Sequence, residues 1–440
     1  MPDRHIIDIP DFSLVIMIGA AGAGKSSFAA RHFAATEIIS SDTYRGIVSD
    51  DESNQEASRD AFELVHDIAA KRLKRRKLAV IDATNVRADD RDALIDLAVK
   101  HHAPPVALVI NPGPETCFAQ NAARTKRRVG DDVIAAQLQS LRGSLSQLDT
   151  EGFRVVHKLM SVSEIDNTDI KRIPVLADKR HLAGPFDIIG DVHGCCDELI
   201  ALMSKLGYTV SMTKEGEVWK IVTQTPPGRT LVFVGDLVDR GPDTPGVLRL
   251  AMHMVGCGQA LCVPGNHDNK LMRWLRGNDV TLTHGLDKSA TQLANEPDEW
   301  RPKIEKFVAD LPSHLWLDEG RLAVAHAGIK ASLIGRVSRR VYMFCLYGET
   351  SGETDEFGLP IRYNWAAEYS GDTAIVYGHT PVPEANWLNN TMCLDTGCCF
   401  GGKLTALRWP EKEVVSVPAQ AVYAEPIRPF GHPPARPKAS

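Results

Sequence analysis

No apolar run in this sequence comes near the roughly 18 residues that a helix needs to cross a bilayer, so no membrane partner is expected. The opening stretch, MPDRHIIDIPDF, carries charges and prolines where a signal peptide needs an apolar core. Excess positive charge is also missing. The 50 Lys and Arg face 56 Asp and Glu, a formal net charge of −6, so any nucleic-acid contact must come from local basic patches. The nine cysteines include no CxxC pair, and the adjacent pairs Cys195-Cys196 and Cys398-Cys399 are ill suited as long-range staples. That usage predicts a reduced, cytoplasmic setting. No internal repeat is visible.

What is present is a soluble, globular pattern: 440 residues, 43% hydrophobic and 24% charged, which is too long for one ordinary core and predicts two or three domains. In the first part, the short apolar runs LVIMI (14–18), EII (37–39), LAVID (78–82), VALVI (106–110) and RVV (154–156) alternate with amphipathic stretches at 57–76, 89–101 and 131–149. Strand and helix in alternation predict an α/β fold with a parallel sheet. Regularity fades over 166–184, expected as a linker between a domain at 1–165 and a second at 185–420. The second has strands that end in polar motifs, and the proline-rich residues 421–440 read as a tail.

In the first part, GAAGAGKSS fits the phosphate-binding loop pattern GxxxxGK[ST]. Gly19, Gly22 and Gly24 let backbone N–H groups turn inward on a phosphate. Lys25 reaches the outer phosphates, Ser26 can hold Mg²⁺, and Ser27 continues the helix that presents its N-terminus to the anion. ATP and Mg²⁺ are the ligands this implies. Asp42, just past the second strand, lies at the sheet edge where ligands bind. It is either the general base of a kinase or, together with Ser40 and Ser41, a helix cap. Arg124, Lys126, Arg127 and Arg128 offer cations that could close over a transferring phosphoryl group; a solvated helix end is the bland alternative. The basic run Lys71 to Lys77 reads as a solvated helix face rather than a nucleic-acid site.

In the second part, GDVHG, GDLVDRG, GNHD, AHAG and GHT each follow an apolar run. Taken singly, each reads as a capped turn or a core histidine. Taken together and in order, they supply the ligands of two metal ions. Asp191 and His193 would take one ion, Asn266, His326 and His379 the other, and Asp236 would bridge them. Arg240 would hold the phosphate with its fork, and His267 would protonate the leaving group. His181, His284 and His314 lack such company and read as structural. Cys195 and Cys398 read as small packing residues.

These motifs resemble the binuclear metallophosphoesterases of the phosphoprotein-phosphatase type. The order of halves is similar to that of the bacterial polynucleotide kinase-phosphatases of RNA repair, on the further segments ISSDTYRGIVSDDE, VIDATNVRADDR, LYGETSGETDEFGLPIR and DTGCCFGGKLTALRWPE. The resemblance spans about residues 10 to 425. It implies an N-terminal P-loop kinase and a C-terminal αββα phosphoesterase sandwich. Asp42 would be the kinase base, Arg124 a lid arginine, and Asp395 a residue near metal or substrate, with Mn²⁺ as the habitual phosphatase metal. RNA ends would be the substrate, with DNA ends an alternative. A separate ligase, a 3′-terminal ribose methyltransferase and a dimeric state are the partners it suggests. The sequence departs from that family in having Gln120 where a first lid arginine stands, and no sealing activity is assigned to it.

The resulting expectation is an end-healing enzyme: a 5′-hydroxyl polynucleotide kinase joined to a 2′,3′-phosphatase and cyclic phosphodiesterase. The rivals are a metallophosphatase of the protein-phosphatase type whose P-loop half only senses nucleotide, and a hydrolase of dinucleoside polyphosphates.

Overall fold

The computed structural model describes residues 4–125, 128–216 and 218–428. They divide into two units, one of residues 1–175 with 336–338 and one of 176–335 with 339–440.

The first unit is built on a five-stranded sheet in the order Ile38–Ser40, Ala79–Asp82, Leu14–Ile18, Pro105–Ile110, Val155–Leu159. All neighbours are parallel. A parallel sheet is covered on both faces, which is why its strands are written as unbroken apolar runs. Leu14, Ile16 and Ile18 pack with Val65, Leu73 and Leu94 on one side. Val15 and Met17 pack with Phe28, Ala29 and Ile134 on the other. The expected strands and helices are therefore present, the helices running Ser58–Lys74, Ala88–Lys100 and Asp131–Ser144. The basic run ends the first of these helices. There Arg72 donates to Leu78 O at 2.8 Å and Arg76 lies over the Phe12 ring, so both are turned onto their own chain.

The stretch 166–184, expected as a linker, contains the strand Thr168–Ile173, paired parallel with His5–Pro10. Neither strand is predicted from the sequence, because Asp8, Lys171 and Arg172 interrupt its apolar pattern. Ile7, Ile9 and Ile170 nevertheless join the core beneath.

The second unit has two five-stranded sheets. One runs Ala260–Cys262, Thr230–Phe233, Phe186–Ile189, Lys403–Trp409, Glu413–Pro418; the other runs Leu315–Leu317, Leu322–Val324, Ala374–Tyr377, Thr391–Cys393, Trp387–Leu388. Phe186, Ile188 and Val232 from the first sheet share a core with Leu322, Val324 and Val376 from the second, so the sheets face one another. Ile189, Leu231 and Phe233 point outward onto helices Cys196–Lys205 and Thr244–Gly256. On the far side, Ala323 and Ile375 pack on helix Arg339–Tyr347 through Val341 and Cys345. The result is an αββα sandwich. Of the expected tail, residues 421–428 lie on this unit, with Val422 bridging to Phe400 and Arg428 paired with Asp355. The remainder of the tail, 429–440, is outside the described residues.

Candidate active site and nucleotide cleft

In the second unit, six strands deliver polar residues immediately past their C-terminal ends: Asp191 and His193, then Asp236 and Arg240, then Asn266 and His267, then His326, His379 and Asp395. Backbone strain marks this edge. His193, Asp236, Asp239, Arg240 and His379 all have positive φ, between 47 and 74°. For non-glycine residues such angles persist only where surroundings over-determine them. The motif glycines have a steric reason as well. A Cβ on Gly265 would overlap Asp236 Oδ1, and one on Gly378 would overlap Asp191 Oδ1. The sequence signature GD…GN…GH is thus a record of strand ends brought into contact.

The side chains converge. Asp236 Oδ2 stands 3.5 Å from His193 Nε2 and 3.4 Å from His326 Nε2. His326 Nε2 is 3.0 Å from Asn266 Oδ1 and 3.1 Å from His379 Nδ1. Backbone carbonyls fix two of the rings: His193 Nδ1 bonds Val238 O at 2.8 Å and His326 Nδ1 bonds Val234 O at 3.2 Å. With their other nitrogen so occupied, both rings present Nε2 to the centre. Two convergent trios suited to a cation result, His193–Asp236–His267 and Asp236–His326–His379. Asp191, expected beside His193 in the first set, falls in neither; its Oδ2 accepts the His379 N–H at 2.9 Å. His267, expected as a proton donor, lies within the first trio, beside His193 and Asp236.

Electrostatics favour cations here. Asp191, Asp236 and Asp395 are buried together, and burial pushes each carboxyl above its ordinary range, with the neighbouring acids adding to Asp191 and Asp236. Burial likewise pushes His193, His267 and His379 well down, and His326 to about 4, leaving neutral imidazoles. Asp191 Oδ1 and His379 Nε2 are buried without hydrogen-bond partners. Three crowded carboxylates, neutral imidazoles and orphaned donor atoms form a set that fits divalent metal ions.

Several contributors are not legible as motifs. Asp239 Oδ2 lies 2.6 Å from His267 Nδ1, and its Oδ1 accepts from Ser289 Oγ at 2.7 Å. Asp268 accepts from Leu237 N at 2.9 Å and Gly265 N at 2.8 Å, tying two of the loops. Arg240 donates to His193 Nε2 at 2.6 Å and His267 Nε2 at 2.9 Å, while its guanidinium lies 5.0 Å from the Phe400 ring. Both aspartates lie inside the quoted motifs, in GDLVDRG and GNHD, and could have been found there; Phe400 lies in the quoted segment DTGCCFGGKLTALRWPE, where no role is read for it. Of the histidines read as structural, His314 is buried and accepts from Gly335 N at 2.8 Å. His284 precedes Gly285, which packs against the Arg240 backbone.

In the first unit, strand Leu14–Ile18 leads through the glycine loop into helix Lys25–His32. Gly22 and Gly24 have φ of 77 and 89°, and a Cβ at Gly22 would overlap Cys117 O. Lys25 Nζ is buried and donates to Gly19 O at 2.8 Å and Ala20 O at 2.9 Å. A cleft of 320 Å³ opens over the loop, lined by Gly22, Gly24, Lys25, Ser26, Ser27, Gln120, Ala123 and Arg124. Arg124 and Gln120 therefore stand at the mouth of the loop, whereas Lys126 and Arg127 are outside the described residues. Ser40, not Asp42, caps the helix Ser41–Ser49, by accepting from Thr43 N at 3.4 Å. Asp42 instead forms an ion pair with Arg45 in the first turn. One residue goes unread in the sequence: Asp82 ends the strand next to the loop strand, in register opposite Ser40. Its signal is an apolar run closing on an acid, LAVID.

Comparison with known proteins agrees with this geometry. The model of the calcineurin-like phosphoesterases matches residues 184–408, and the chain belongs to that family, whose members bind two divalent metals. Residues 14–148 match the model described as an AAA domain. The bis(5′-nucleosyl)-tetraphosphatase PrpE (asymmetrical) of Anoxybacillus flavithermus is 46% identical over 251 residues, covering 56% of this chain and 99% of the relative. The Bacillus subtilis protein of the same name is 48% identical over 244 residues, covering 54% and 97%. Among the described residues, no helix is long and apolar enough to cross a membrane.

Proposed function

We propose that the second unit hydrolyses nucleotide phosphoanhydrides, with dinucleoside polyphosphates as the substrate class, and that the first unit binds a nucleoside triphosphate. The observation that carries this reading is Asp236 Oδ2 between His193 and His326, at 3.5 and 3.4 Å. The name borne by the two bacterial relatives, each accounting for about half of this chain, supports the substrate class. Asp191, His193, Asp236, Asn266, His326 and His379 would hold the metals, with Mn²⁺ suited to this mixed oxygen and nitrogen set. When bound, two such ions polarise a phosphoryl group and make hydroxide available near neutral pH. The chain's own residues do the rest. Arg240 holds the non-bridging oxygens with its fork, steadied by Phe400. As the water oxygen bonds phosphorus and the bridging P–O bond breaks, the neutral His267, oriented by Asp239, takes up the water's proton at Nε2 and passes it to the departing oxygen. Asp395, buried beside these groups, adds to the negative charge that favours cations.

A second reading is favoured by Asp42, which is relieved of capping by Ser40 and lies at the same sheet edge as the loop. Here the first unit would phosphorylate a 5′-hydroxyl RNA end, with Asp42 as base, Arg124 on the phosphates, and Ser26 with Asp82 on Mg²⁺. The second unit would clear a 2′,3′-phosphate, and a separate ligase would seal the ends. One experiment separates the readings. The protein is given diadenosine tetraphosphate and, in parallel, ATP with an RNA bearing a 5′-hydroxyl and a 2′,3′-cyclic phosphate, and products are followed by mass. Cleavage of the dinucleotide, lost in Asp236→Asn, with both RNA ends unchanged supports the first reading. Conversion of both RNA ends with the dinucleotide intact replaces it by the second.

A further inference from the structure

The second unit holds another group of metal-binding side chains, behind the loops of the phosphoesterase site. Cys195, Glu198 and Cys398 are buried, and their ligand atoms lie within 4.8 Å of one another. They come from three places: the turn before helix Cys196–Lys205, the first turn of that helix, and the loop after strand Thr391–Cys393. Glu198 is 1% exposed. Its Oε1 accepts from Gln420 N and Tyr423 Oη, each at 2.8 Å, while Oε2 is buried without a hydrogen-bond partner. A carboxylate oxygen left unpaired in the interior is costly, and here it belongs to a side chain grouped with two thiols. Packing accounts for the buried cysteines and the strap 420–423 for Oε1 of Glu198, but neither accounts for Oε2 among the thiols.

We propose that Cys195, Cys398 and Glu198 bind one thiophilic divalent cation of the Zn²⁺ class, as a structural site separate from the phosphoesterase centre. Two sulfurs and one carboxylate suit a soft or borderline ion and discriminate against Mn²⁺ and Mg²⁺, which prefer oxygen. The set around Asp236 offers nitrogen and oxygen but no sulfur, so a thiolate-specific signal tells the two sites apart. On binding, two S–H bonds break, two sulfur–metal bonds form, and two protons pass to the buffer. The ion would join the turn that follows His193, the loop that follows Asp395 and the strap 420–423 that Glu198 already holds. It would thereby fix two loops of the catalytic edge from behind.

The test uses the full chain, reduced and freed of metal, titrated with Cd²⁺ and followed by its sulfur-to-cadmium charge-transfer absorption. That band reports thiolate ligation only, so ions bound by histidine and aspartate do not contribute. The expected result is a band with the amplitude of two sulfur–cadmium bonds, lost in both Cys195→Ser and Cys398→Ser, retained in Cys257→Ser and Cys393→Ser, and accompanied by proton release. Glu198→Gln, nearly isosteric, should weaken Cd²⁺ affinity by at least about tenfold and serves if a cysteine variant does not fold. A band absent from the wild type, or one that survives both cysteine substitutions, overturns the proposal. So does a count of seven rather than nine thiols in the denatured, unreduced protein, which would mean that the pair is spent as a disulfide.

Discussion

Asp239 Oδ2 lies 2.6 Å from Nδ1 of His267, and the contact is set from behind by Ser289, whose hydroxyl donates to the other oxygen at 2.7 Å. The carboxyl is buried and pushed up to about 7, burial being the largest cause. An imidazole so held presents Nε2 to the site in one orientation. Asp239→Asn should lower kcat for a nucleotide substrate roughly 10–100-fold, the range typical of lost outer-shell support. An activated ester such as 4-nitrophenyl phosphate, whose leaving group needs no proton, should lose far less. Equal losses on both substrates would remove His267 from the role of proton donor.

Hydrolysis should depend on metal in a way that separates the two units. Dialysis against a chelator is expected to abolish phosphoesterase activity, and Mn²⁺ to restore it, because Asp191 Oδ1 and His379 Nε2 have no protein partner to replace the ion. His379→Ala should then need a higher Mn²⁺ concentration for half-maximal rate, by at least about tenfold. Full activity in protein shown by elemental analysis to be metal-free would sink the binuclear reading.

How much of this could be read beforehand follows from where each signal lives. The glycine loop and the five polar motifs are local strings, and each follows the C-terminal end of a strand, though which side chains share a cation trio is not written in them. The paired charged strands at His5–Pro10 and Thr168–Ile173 escape notice because their partners are some 160 residues apart and each is half exposed. Asp82 and Asp239 are visible as letters, but their importance depends on register and on a neighbour 28 residues away. Asp42 shows the limit most plainly. Sequence leaves it undecided between cap and base, and only the hydrogen bond from Thr43 N to Ser40 shows that the cap is already supplied.

The P-loop lysine offers a test of independence. Lys25 is buried and bound to Gly19 O and Ala20 O, a position from which it can swing onto a phosphate. Lys25→Ala should weaken ATP binding or transfer by at least about 10²-fold, as loss of a preorganised charge stabiliser does. Hydrolysis by the second unit on a small ester should stay within twofold of wild type. A parallel fall in both would mean that nucleotide in the first unit controls the second, and calorimetric ATP titration of the variant would tell that apart from misfolding.

Arg91 makes a separate prediction about stability. Its side chain is fully buried, donating to Glu151 at 2.7 and 2.5 Å and to Asn85 O at 2.9 Å. Asn85 in turn donates to Met17 O, on the strand that feeds the glycine loop, at 2.8 Å. Removing one partner of a buried pair strands the other, so Arg91→Ala should cost the first unit about 3–5 kcal/mol. Denaturant unfolding followed with and without saturating ATP would measure it. A cost below about 1 kcal/mol would mean that Glu151 reaches water once released.

The cysteines give the last prediction. All nine are unbridged, and Cys257 is exposed while the other eight are buried. Burial also pushes Cys196 up to about 12 and raises Cys117, Cys262 and Cys345. Thiolate is the reactive form, so a raised pKa suppresses reaction at neutral pH and relieves it only as pH climbs towards the shifted value. Steric exclusion acts in the same direction. A thiol reagent at pH 7.5 should therefore modify a single fast site in the native chain, located by mass at Cys257, and all nine after denaturation. Cys257→Ser should remove the fast phase without altering phosphoesterase activity. Rapid modification of Cys195 or Cys398 in the native protein would show that the back of the catalytic edge opens to solvent, contrary to the packing around Glu198.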